Sequence, residues 1–268
     1  MAILDYQAIK FDGTSSENRL DALTVEEGLQ VKVNGEPLMI TMRSPGNDAE
    51  LVRGLLHSED ILPTTNEDVE IIVESKNKQG VVPVVNVNIP EDKLGDGYKN
   101  SRSFLSVSSC GICGQTELQE IKGELEKKGK FNPLDLKHMF ELMDGKQKTF
   151  RKSGGSHAAA AFDEKGEMIC VMEDIGRHNA VDKVIGTLLI KKQLNRAFAI
   201  TVSGRISYEI VMKAFRAKIP ILAAVSAPSS LAVDYSKELG ITLFGFCRGE
   251  NATCYSNMHR VNAIDQIK

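Results

Sequence analysis

The second half of the chain alternates short apolar segments with helical ones, and this alternation constrains the fold more than any other feature. Three segments, "AFAITVS", "PILAAVS" and "ITLFGF", are apolar on both faces, and "SYEIVMKAFRAK" and "SLAVDYSKEL" between them have helical spacing. Strands that are apolar on both faces lie buried under helices in parallel sheets. The pattern therefore predicts a βαβαβ unit, to which "GEMICVMED" and "NAVDKVIGTLLIKK" are expected to add a strand and a helix.

The first hundred residues are predicted to be rich in strands. "LQVKVNGEPLMITMRS" alternates apolar positions around Asn34-Gly35, which is a strong signal for a two-residue hairpin. "VEIIVES" and "VVPVVNVNIP" predict two more strands, and Pro83 places the second at an edge or a bulge. Before them, "DAELVRGLLHSED" predicts a helix with Asp48 as its cap.

A polar stretch, "DKLGDGYKNSRS", follows the predicted strands and is interpreted as a connecting loop. After it, "TELQEIKGELEKKGK" and "NPLDLKHMFELMDGKQ" each have the spacing of an amphipathic helix, the second started by Pro133 and stopped by Gly145. We therefore predict an α/β protein with two domains: a smaller strand-rich N-terminal module over residues 1–115 and an α/β domain over residues 116–268.

Composition excludes several classes of protein. The 33 basic and 36 acidic residues give a formal charge of −3, without the basic excess typical of nucleic-acid binding. Residues 1–20 lack the pattern of a secretory signal, and no run of about 18 apolar residues occurs. We expect a cytoplasmic protein that binds neither nucleic acid nor membrane. Its five cysteines, an odd number, do not indicate a disulfide framework.

Two of those cysteines, Cys110 and Cys113, lie in "SSCGICGQ" among glycines and serines. A zinc site needs four ligands, and the sequence offers one CxxC and widely separated histidines. A thioredoxin-like dithiol needs the pair at a helix start behind a buried strand; "CGQTELQEIKGEL" could form the helix, but no clear strand precedes it. A persulfide carrier needs a mobile, exposed thiolate, which this loop would supply. All three chemistries remain open on these residues alone.

The predicted strand ends suggest a ligand site, because ligands collect beyond the carboxyl ends of parallel strands. Arginine adjoins glycine at three of the four ends, and the fourth has serines at the start of a helix. This favours an anionic ligand such as a phosphate, although ordinary turns and solvated arginines would give the same pattern. Neither GxGxxG nor the P-loop motif is present. The four ends begin at Asp174, Ser203, Ser226 and Phe246.

The segment "SGGSHAAAAF", residues 153–162, lacks bulky side chains before its last residue. We interpret it as a tightly packed helix start or a place where a ligand approaches the backbone. His157 within it is interpreted as a hydrogen-bonded structural residue. His178, beside Arg177 and close to Asp174 and Asp182, is compatible with either a structural or a functional role.

Six segments together resemble the FdhD-type sulfur carrier proteins, also called formate dehydrogenase accessory sulfurtransferases. They are "SSCGICGQ", "SGGSHAAAAF", "EDIGRHNAVDKVIG", "SGRISYEIVMKA", "IPILAAVSAPSSLAVD" and "GITLFGFCRG". The resemblance implies a C-terminal core like that of the cytidine deaminases, and a homodimer. Zinc deaminases carry H-x-E and P-C-x-x-C, whereas this chain has His157-Ala158-Ala159 and no proline before its only CxxC. A scaffold of that kind would here lack the deaminase machinery, and we expect no permanent metal.

The resemblance also implies a reaction. Sulfur would pass from a cysteine desulfurase, through a persulfide, to the molybdenum bis(molybdopterin guanine dinucleotide) cofactor as bound substrate, which then enters formate dehydrogenase. Cys110 would carry the persulfide and Cys113 would assist. The nucleotide part would be held by Phe246, Cys247, Arg248, Gly249, Glu250 and Asn251, with Arg205 and Ser226 as further candidates.

Two other hypotheses are compatible with the sequence. The chain could be a non-catalytic chaperone that binds and protects the molybdenum cofactor, with incidental or regulatory cysteines. It could also be an oxidoreductase that uses the CxxC pair as a dithiol switch.

Overall fold

The structure is a computed structural model that describes residues 2–66, 69–75, 83–101, 106–107, 123–125 and 129–262. Both cysteines of the CxxC pair, Cys110 and Cys113, lie outside the described residues. So does most of the helix predicted in "TELQEIKGELEKKGK".

The chain begins with a two-stranded antiparallel hairpin, formed by β1 (Ile3–Asp12) and β2 (Ser15–Thr24). The sequence did not predict this pair, because apolar and charged side chains alternate irregularly and occur on both of its faces. Near its base, Thr24 Oγ1 lies 2.6 Å from Ser153 Oγ. Six of its large apolar side chains are exposed; they are Leu4, Tyr6, Ile9, Phe11, Leu20 and Leu23.

A five-stranded sheet follows, and it confirms the strand-rich character of the N-terminal region. Its strands, in the order β5-β6-β3-β4-β7 across the sheet, are β3 (Glu27–Val33), β4 (Glu36–Arg43), β5 (Ile71–Ser75), β6 (Val84–Val87) and β7 (Ser106–Val107). The hairpin predicted at Asn34-Gly35 is confirmed, and both residues have positive φ, at 53° and 85°. The sheet packs against α1 (Asp48–Ser58), and a short helix, α2 (Asp96–Ser101), follows β6.

Two local predictions in this region are wrong, and a third is confirmed in part. The N-cap of α1 is Asn47, because the Asp48 carboxylate instead accepts a hydrogen bond from Arg43 Nε at 2.8 Å. The stretch "DKLGDGYKNSRS", interpreted as a connecting loop, contains α2. β6 is not an edge strand, since it pairs with β5 on one side and β3 on the other, but its ladder with β5 has an irregularity between Val73 and Ser75, as the alternative of a bulge predicted. Pro83 lies just before its first residue, where the missing N–H removes no hydrogen bond from the ladder.

The C-terminal half forms a six-stranded sheet in the order β13-β12-β11-β10-β8-β9. Strands β10, β11 and β12 are parallel, which confirms the βαβαβ unit, and β9 belongs to the same sheet as predicted. Its strands are β8 (His157–Phe162), β9 (Met168–Asp174), β10 (Ala199–Val202), β11 (Ile221–Ala224), β12 (Thr242–Arg248) and β13 (Asn251–Cys254). The helices are α3 (Asp135–Asp144), α4 (Lys148–Ser153), α5 (Arg177–Ile190), α6 (Tyr208–Arg216) and α7 (Ser230–Glu238).

The interpretation of "SGGSHAAAAF" as a helix start is wrong, because this segment contains strand β8 between β9 and β10. Its four alanines are buried and alternate between the two faces of the sheet. Ala159 and Ala161 face the core under α5 and α6, whereas Ala158 and Ala160 face the core under α3. The small side chains let helices pack closely on both faces.

Strand directions determine where the functional residues collect. Both β8 and β13 run antiparallel to their neighbours. The carboxyl ends of β9, β10, β11 and β12 therefore lie at one edge of the sheet, together with the amino end of β8. This carboxyl edge unites the four strand ends that the sequence predicted as a ligand site.

Helices α1 and α5 join the two parts of the chain through an exceptionally close contact. A Cβ atom on Gly54 would lie 1.9 Å from the backbone oxygen of Asp182, and one on Gly186 would lie 1.8 Å from that of Glu50. Only glycine permits the two backbones to approach this closely. The predicted division at residue 115 itself stays a prediction.

We expect Gly186→Ala to lower the free energy of unfolding by about 2 kcal/mol. The steric cost of separating α1 from α5 should exceed the roughly 1 kcal/mol of helix propensity that alanine adds. Urea unfolding monitored by circular dichroism measures the change. Gly28→Ala is the control, because its Cβ would meet nothing closer than Met42 Sδ at 3.7 Å. Equal stability of the two variants would contradict the expectation.

Candidate functional site

The loops after β10 and β11 lie side by side at the carboxyl edge. Ile206 N donates to Ala227 O at 3.3 Å, and Ser229 N donates to Ile206 O at 2.9 Å. Arg205 in the first loop is exposed, and Ser226 in the second is partly exposed. The pairing of the loops fixes both predicted residues on one continuous surface.

The segment predicted to hold a nucleotide, residues 246–251, is the tip of a β-hairpin and not a loop after the strand. β12 continues to Arg248, with an irregularity in the ladder between Gly245 and Arg248, and then turns into β13. Phe246 has a φ of 54°, which is rare for a bulky residue, and its N–H donates to Ser226 O at 3.2 Å. The hairpin is thereby tied to the loop after β11.

Arg248 projects from this hairpin at an exposed position. Its Nε donates to Val225 O at 3.2 Å, which orients the guanidinium along the carboxyl edge. Within the described part of the chain, neither of its terminal nitrogens has a hydrogen-bond or ion-pair partner. A guanidinium held by one nitrogen and open at two can bind an oxyanion with two parallel hydrogen bonds.

The remaining hairpin residues differ in what they can offer a ligand. The Cys247 thiol is 4% exposed and packs in the core under α3, where burial raises its pKa to about 12. It could therefore contribute to a ligand site only through its backbone. Glu250 has an exposed side chain that pairs with Lys137 Nζ at 3.2 Å, and Phe246 and Asn251 are also exposed.

A second group of polar side chains lies farther along the carboxyl edge, at β8, β10 and the start of α5. His157 Nδ1 lies 3.3 Å from Ser203 Oγ, which also accepts from Ala158 N at 2.9 Å. Burial, followed by the charges of Arg177 and His178, lowers the pKa of His157, against the opposite effect of Asp174. His157 thus has a hydrogen bond, as the sequence interpretation expected, but it also belongs to a charged cluster.

His178 lies in a compact polar arrangement that sequence reasoning missed. Its Nε2 is 2.9 Å from Ser207 Oγ and 3.7 Å from Glu209 Oε2. Burial alone would raise the pKa of Glu209, but hydrogen bonds from His178, Ser207 and its own backbone N–H hold that pKa at about 2. The carboxylate is therefore ionised at neutral pH, and its Oε2 lies within ion-pair distance of His178 Nε2. The only sequence signal was the acidic residue in the first turn of α6.

The buried carboxylate of Asp174 supports the polar side chains around His157 and His178. It is fully buried and forms an ion pair with Lys183 Nζ at 2.8 Å. Its other bonds come from Ser44 N at 3.1 Å, Gly176 N at 2.8 Å and Asn179 Nδ2 at 3.2 Å. The start of α5, and with it Arg177 and His178, is thereby fixed to the end of β4.

Over the described parts of the chain, no group of three or more histidine, cysteine or acidic residues could hold a metal ion. Among the helices in the described ranges, none is long and apolar enough to span a membrane.

We expect Glu209→Gln to remove part of the acid sensitivity of the fold. The folded-state pKa of about 2 lies below the ordinary 4.5, so ionised Glu209 stabilises the protein above pH 4.5 and this contribution is lost as pH falls toward 2. Between pH 5.5 and pH 3.5 the wild type should lose about 1 kcal/mol more unfolding free energy than Glu209→Gln. Urea titrations at the two pH values measure this, and equal losses would contradict it.

Comparisons with known proteins agree with this architecture. The FdhD/NarQ family model matches residues 24–262. The relative from Streptomyces avermitilis, named "Sulfur carrier protein FdhD", is 40% identical over 266 residues, covering 93% of this chain and 92% of the relative. A relative of the same name from Sulfolobus acidocaldarius is 41% identical over 243 residues, covering 90% and 92%.

A solved structure supports the fold. The crystal structure of a provisionally assigned formate dehydrogenase accessory protein from Desulfotalea psychrophila superposes with a TM-score of 0.75, covering 98% of this chain and 100% of that one. At 19% sequence identity the match concerns the fold alone. It confirms the predicted α/β class with its strand-rich N-terminal region, whereas the likeness to cytidine deaminases stays a prediction. The family match over residues 24–262 and relatives about 40% identical over nine-tenths of the chain show that this protein belongs to the FdhD/NarQ family.

Proposed function

We propose that this protein is a sulfur carrier that accepts persulfide sulfur from a cysteine desulfurase and delivers it to the molybdenum bis(molybdopterin guanine dinucleotide) cofactor of formate dehydrogenase. Family membership supports the carrier role, because the curated relatives bear the name sulfur carrier protein. The formate dehydrogenase connection is supported by the name of the protein with the similar fold. The reaction would take place in the cytoplasm, where thiols stay reduced.

The observation that carries this proposal is the burial of the three cysteines outside the CxxC pair, which raises the pKa of each. A sulfur-accepting group must be an accessible thiolate. Cys170 and Cys247 are buried, and burial raises their pKa values to about 11 and about 12. Cys254 is half-buried, and burial raises its pKa as well. This leaves Cys110 and Cys113 as the candidates for the carrier.

The proposed sulfur transfer has two balanced steps. The Cys110 thiolate attacks the outer sulfur of the desulfurase persulfide, which forms Cys110-S-SH and releases the desulfurase thiolate. The Cys113 thiolate then attacks the inner sulfur of that persulfide, which forms a Cys110–Cys113 disulfide and releases hydrosulfide to the metal. A cellular dithiol must reduce this disulfide by two electrons before the next cycle.

The carboxyl edge supports the other half of the proposal, the binding of the nucleotide. Arg248, on the hairpin of residues 246–251, offers two guanidinium nitrogens that have no partner among the described residues, and Arg205 lies exposed two strands away along the same edge. Guanidinium groups bind diphosphates by paired hydrogen bonds, so these residues would position the substrate rather than transfer protons. The homodimer stays a prediction; the exposed apolar hairpin of residues 3–24 is compatible with it.

We expect Cys110→Ala to abolish sulfur loading. After incubation with a cysteine desulfurase and cysteine, intact-mass analysis of the wild type should show an adduct of about 32 Da, one sulfur atom per chain. Cys113→Ala should still load but release no hydrosulfide, because the resolving thiol is missing. Cys254→Ala is the matched control and should load fully. Full loading of Cys110→Ala would refute the carrier assignment, and GDP binding without any loading in the wild type would favour a non-catalytic chaperone.

We expect Arg248→Gln to weaken GDP binding by at least about tenfold, since one charge-assisted bidentate contact is lost. Isothermal titration calorimetry with GDP measures the dissociation constant. Arg196→Gln is the matched control, because Arg196 lies before β10 at the opposite edge of the sheet and pairs only weakly with Asp163 at 3.7 Å. Equal affinities for both variants would remove the hairpin from the nucleotide site.

A further inference from the structure

Arg177, the first residue of α5, has an unusual environment. It is only partly exposed, and its Nε is buried without a hydrogen-bond partner. Across the described part of the chain its guanidinium forms neither a hydrogen bond nor an ion pair. Buried donors are paired in the great majority of cases, because each unpaired one costs the free energy of its lost hydration. The Arg177 guanidinium at the carboxyl edge is therefore open to acceptors that a ligand would supply.

Two histidines lie beside this guanidinium. A Cβ atom on Gly204 would meet Arg177 Cδ at 3.2 Å and His157 Nδ1 at 3.3 Å, so the absence of a side chain there lets both residues approach the loop after β10. His178 follows Arg177 directly, and the charges of both residues act on His157. Arg177 and His157 thus converge beside Gly204, and His178 lies close enough for its charge to act on His157.

Among the described residues, the nearby carboxylates leave the Arg177 guanidinium without an ion pair. Asp174 is occupied by Lys183 at 2.8 Å and by three further donors, and it is fully buried. Glu209 is occupied by His178 and Ser207. Among the described residues, His178 Nδ1 and His157 Nε2 have no hydrogen-bond partner, so each can turn a ring nitrogen to a ligand.

We propose that Arg177, with His157 and His178, forms a second oxyanion-binding position at the carboxyl edge, separate from the hairpin of residues 246–251. It would take a phosphate-class group of the same nucleotide-bearing ligand, and in this sense the inference rests on the proposed function. From β12 to β8 the sheet has three strand spacings, or roughly 14 Å at about 4.8 Å each. A ligand with two separated anionic groups, such as a dinucleotide, could span both positions.

The test uses inorganic pyrophosphate as the probe and the histidine ring signals in NMR as a local readout. The titration is made on Arg248→Gln protein, in which the hairpin position is weakened. We expect saturable shifts of the His157 and His178 signals, assigned by single His→Gln substitutions. Adding Arg177→Gln should weaken the midpoint at least about tenfold. Adding Arg177→Lys should give an intermediate loss, because lysine keeps the charge and loses the planar fork. Adding Arg196→Gln should change nothing.

Two results would overturn the inference. The first is that the Arg177→Gln protein has the same pyrophosphate midpoint as its parent while its circular dichroism and Tm are unchanged. The second is that the signal of the exposed His138 shifts with the same midpoint as that of His157, which would indicate nonspecific binding. Should Arg177→Gln unfold the protein, the Arg177→Lys titration decides alone. The outcome is independent of GDP binding at Arg248. If pyrophosphate does not bind the Arg248→Gln protein while GDP binds the wild type, only this inference is rejected. If pyrophosphate binds the Arg248→Gln protein while GDP does not bind the wild type, only the hairpin nucleotide site is rejected.

Discussion

The buried ion pair between Asp174 and Lys183 is the interaction on which the carboxyl edge depends. Removing two charges from water costs several kcal/mol per ion, and this cost is offset only when the remaining hydrogen-bonding positions are satisfied. Here Asp174 accepts three further hydrogen bonds, and Lys183 donates to Ser44 O at 3.0 Å. Since Ser44 follows β4, neither sheet can shift without breaking the network. The start of α5 is therefore held in one position relative to both sheets.

The sequence predicted the parts of the fold in which one local signal dominates. The strands β10, β11 and β12 are apolar on both faces and were recognised without help from other elements, as was the hairpin at Asn34-Gly35. Strand β8 was missed because "HAAAA" has no β-branched or aromatic residue, and alanine favours helices in isolation. Its strand conformation comes from pairing with β9 and β10 on both sides. The hairpin of residues 3–24 was not predicted because neither of its faces is buried.

The candidate site likewise contains residues that the sequence revealed and residues that it did not. The arginines beside glycines at the strand ends could be recognised as a candidate site from the sequence, because the carboxyl ends of parallel strands meet at one edge of a sheet. The pairing of His178 with Glu209 was not visible, since 31 positions separate them and the contact depends on how α5 packs against α6. The burial of Cys247 was equally hidden: an irregularity in the β12–β13 ladder decides which face its side chain occupies, and sequence periodicity does not reveal it.

The two arginine positions have different physical characters, and this difference suggests a division of labour. Arg248 is exposed on a hairpin, so its guanidinium stays hydrated when no ligand is bound. It can therefore bind and release a ligand without leaving a buried donor unpaired. Arg177 has a buried Nε without a partner in the described part of the chain, so an anion bound there would offset the free-energy cost of that unpaired donor. A ligand that reaches both would be captured at the hairpin and oriented at α5. Its remaining part would then be fixed over the middle of the sheet edge, where positioning matters most for a transfer reaction.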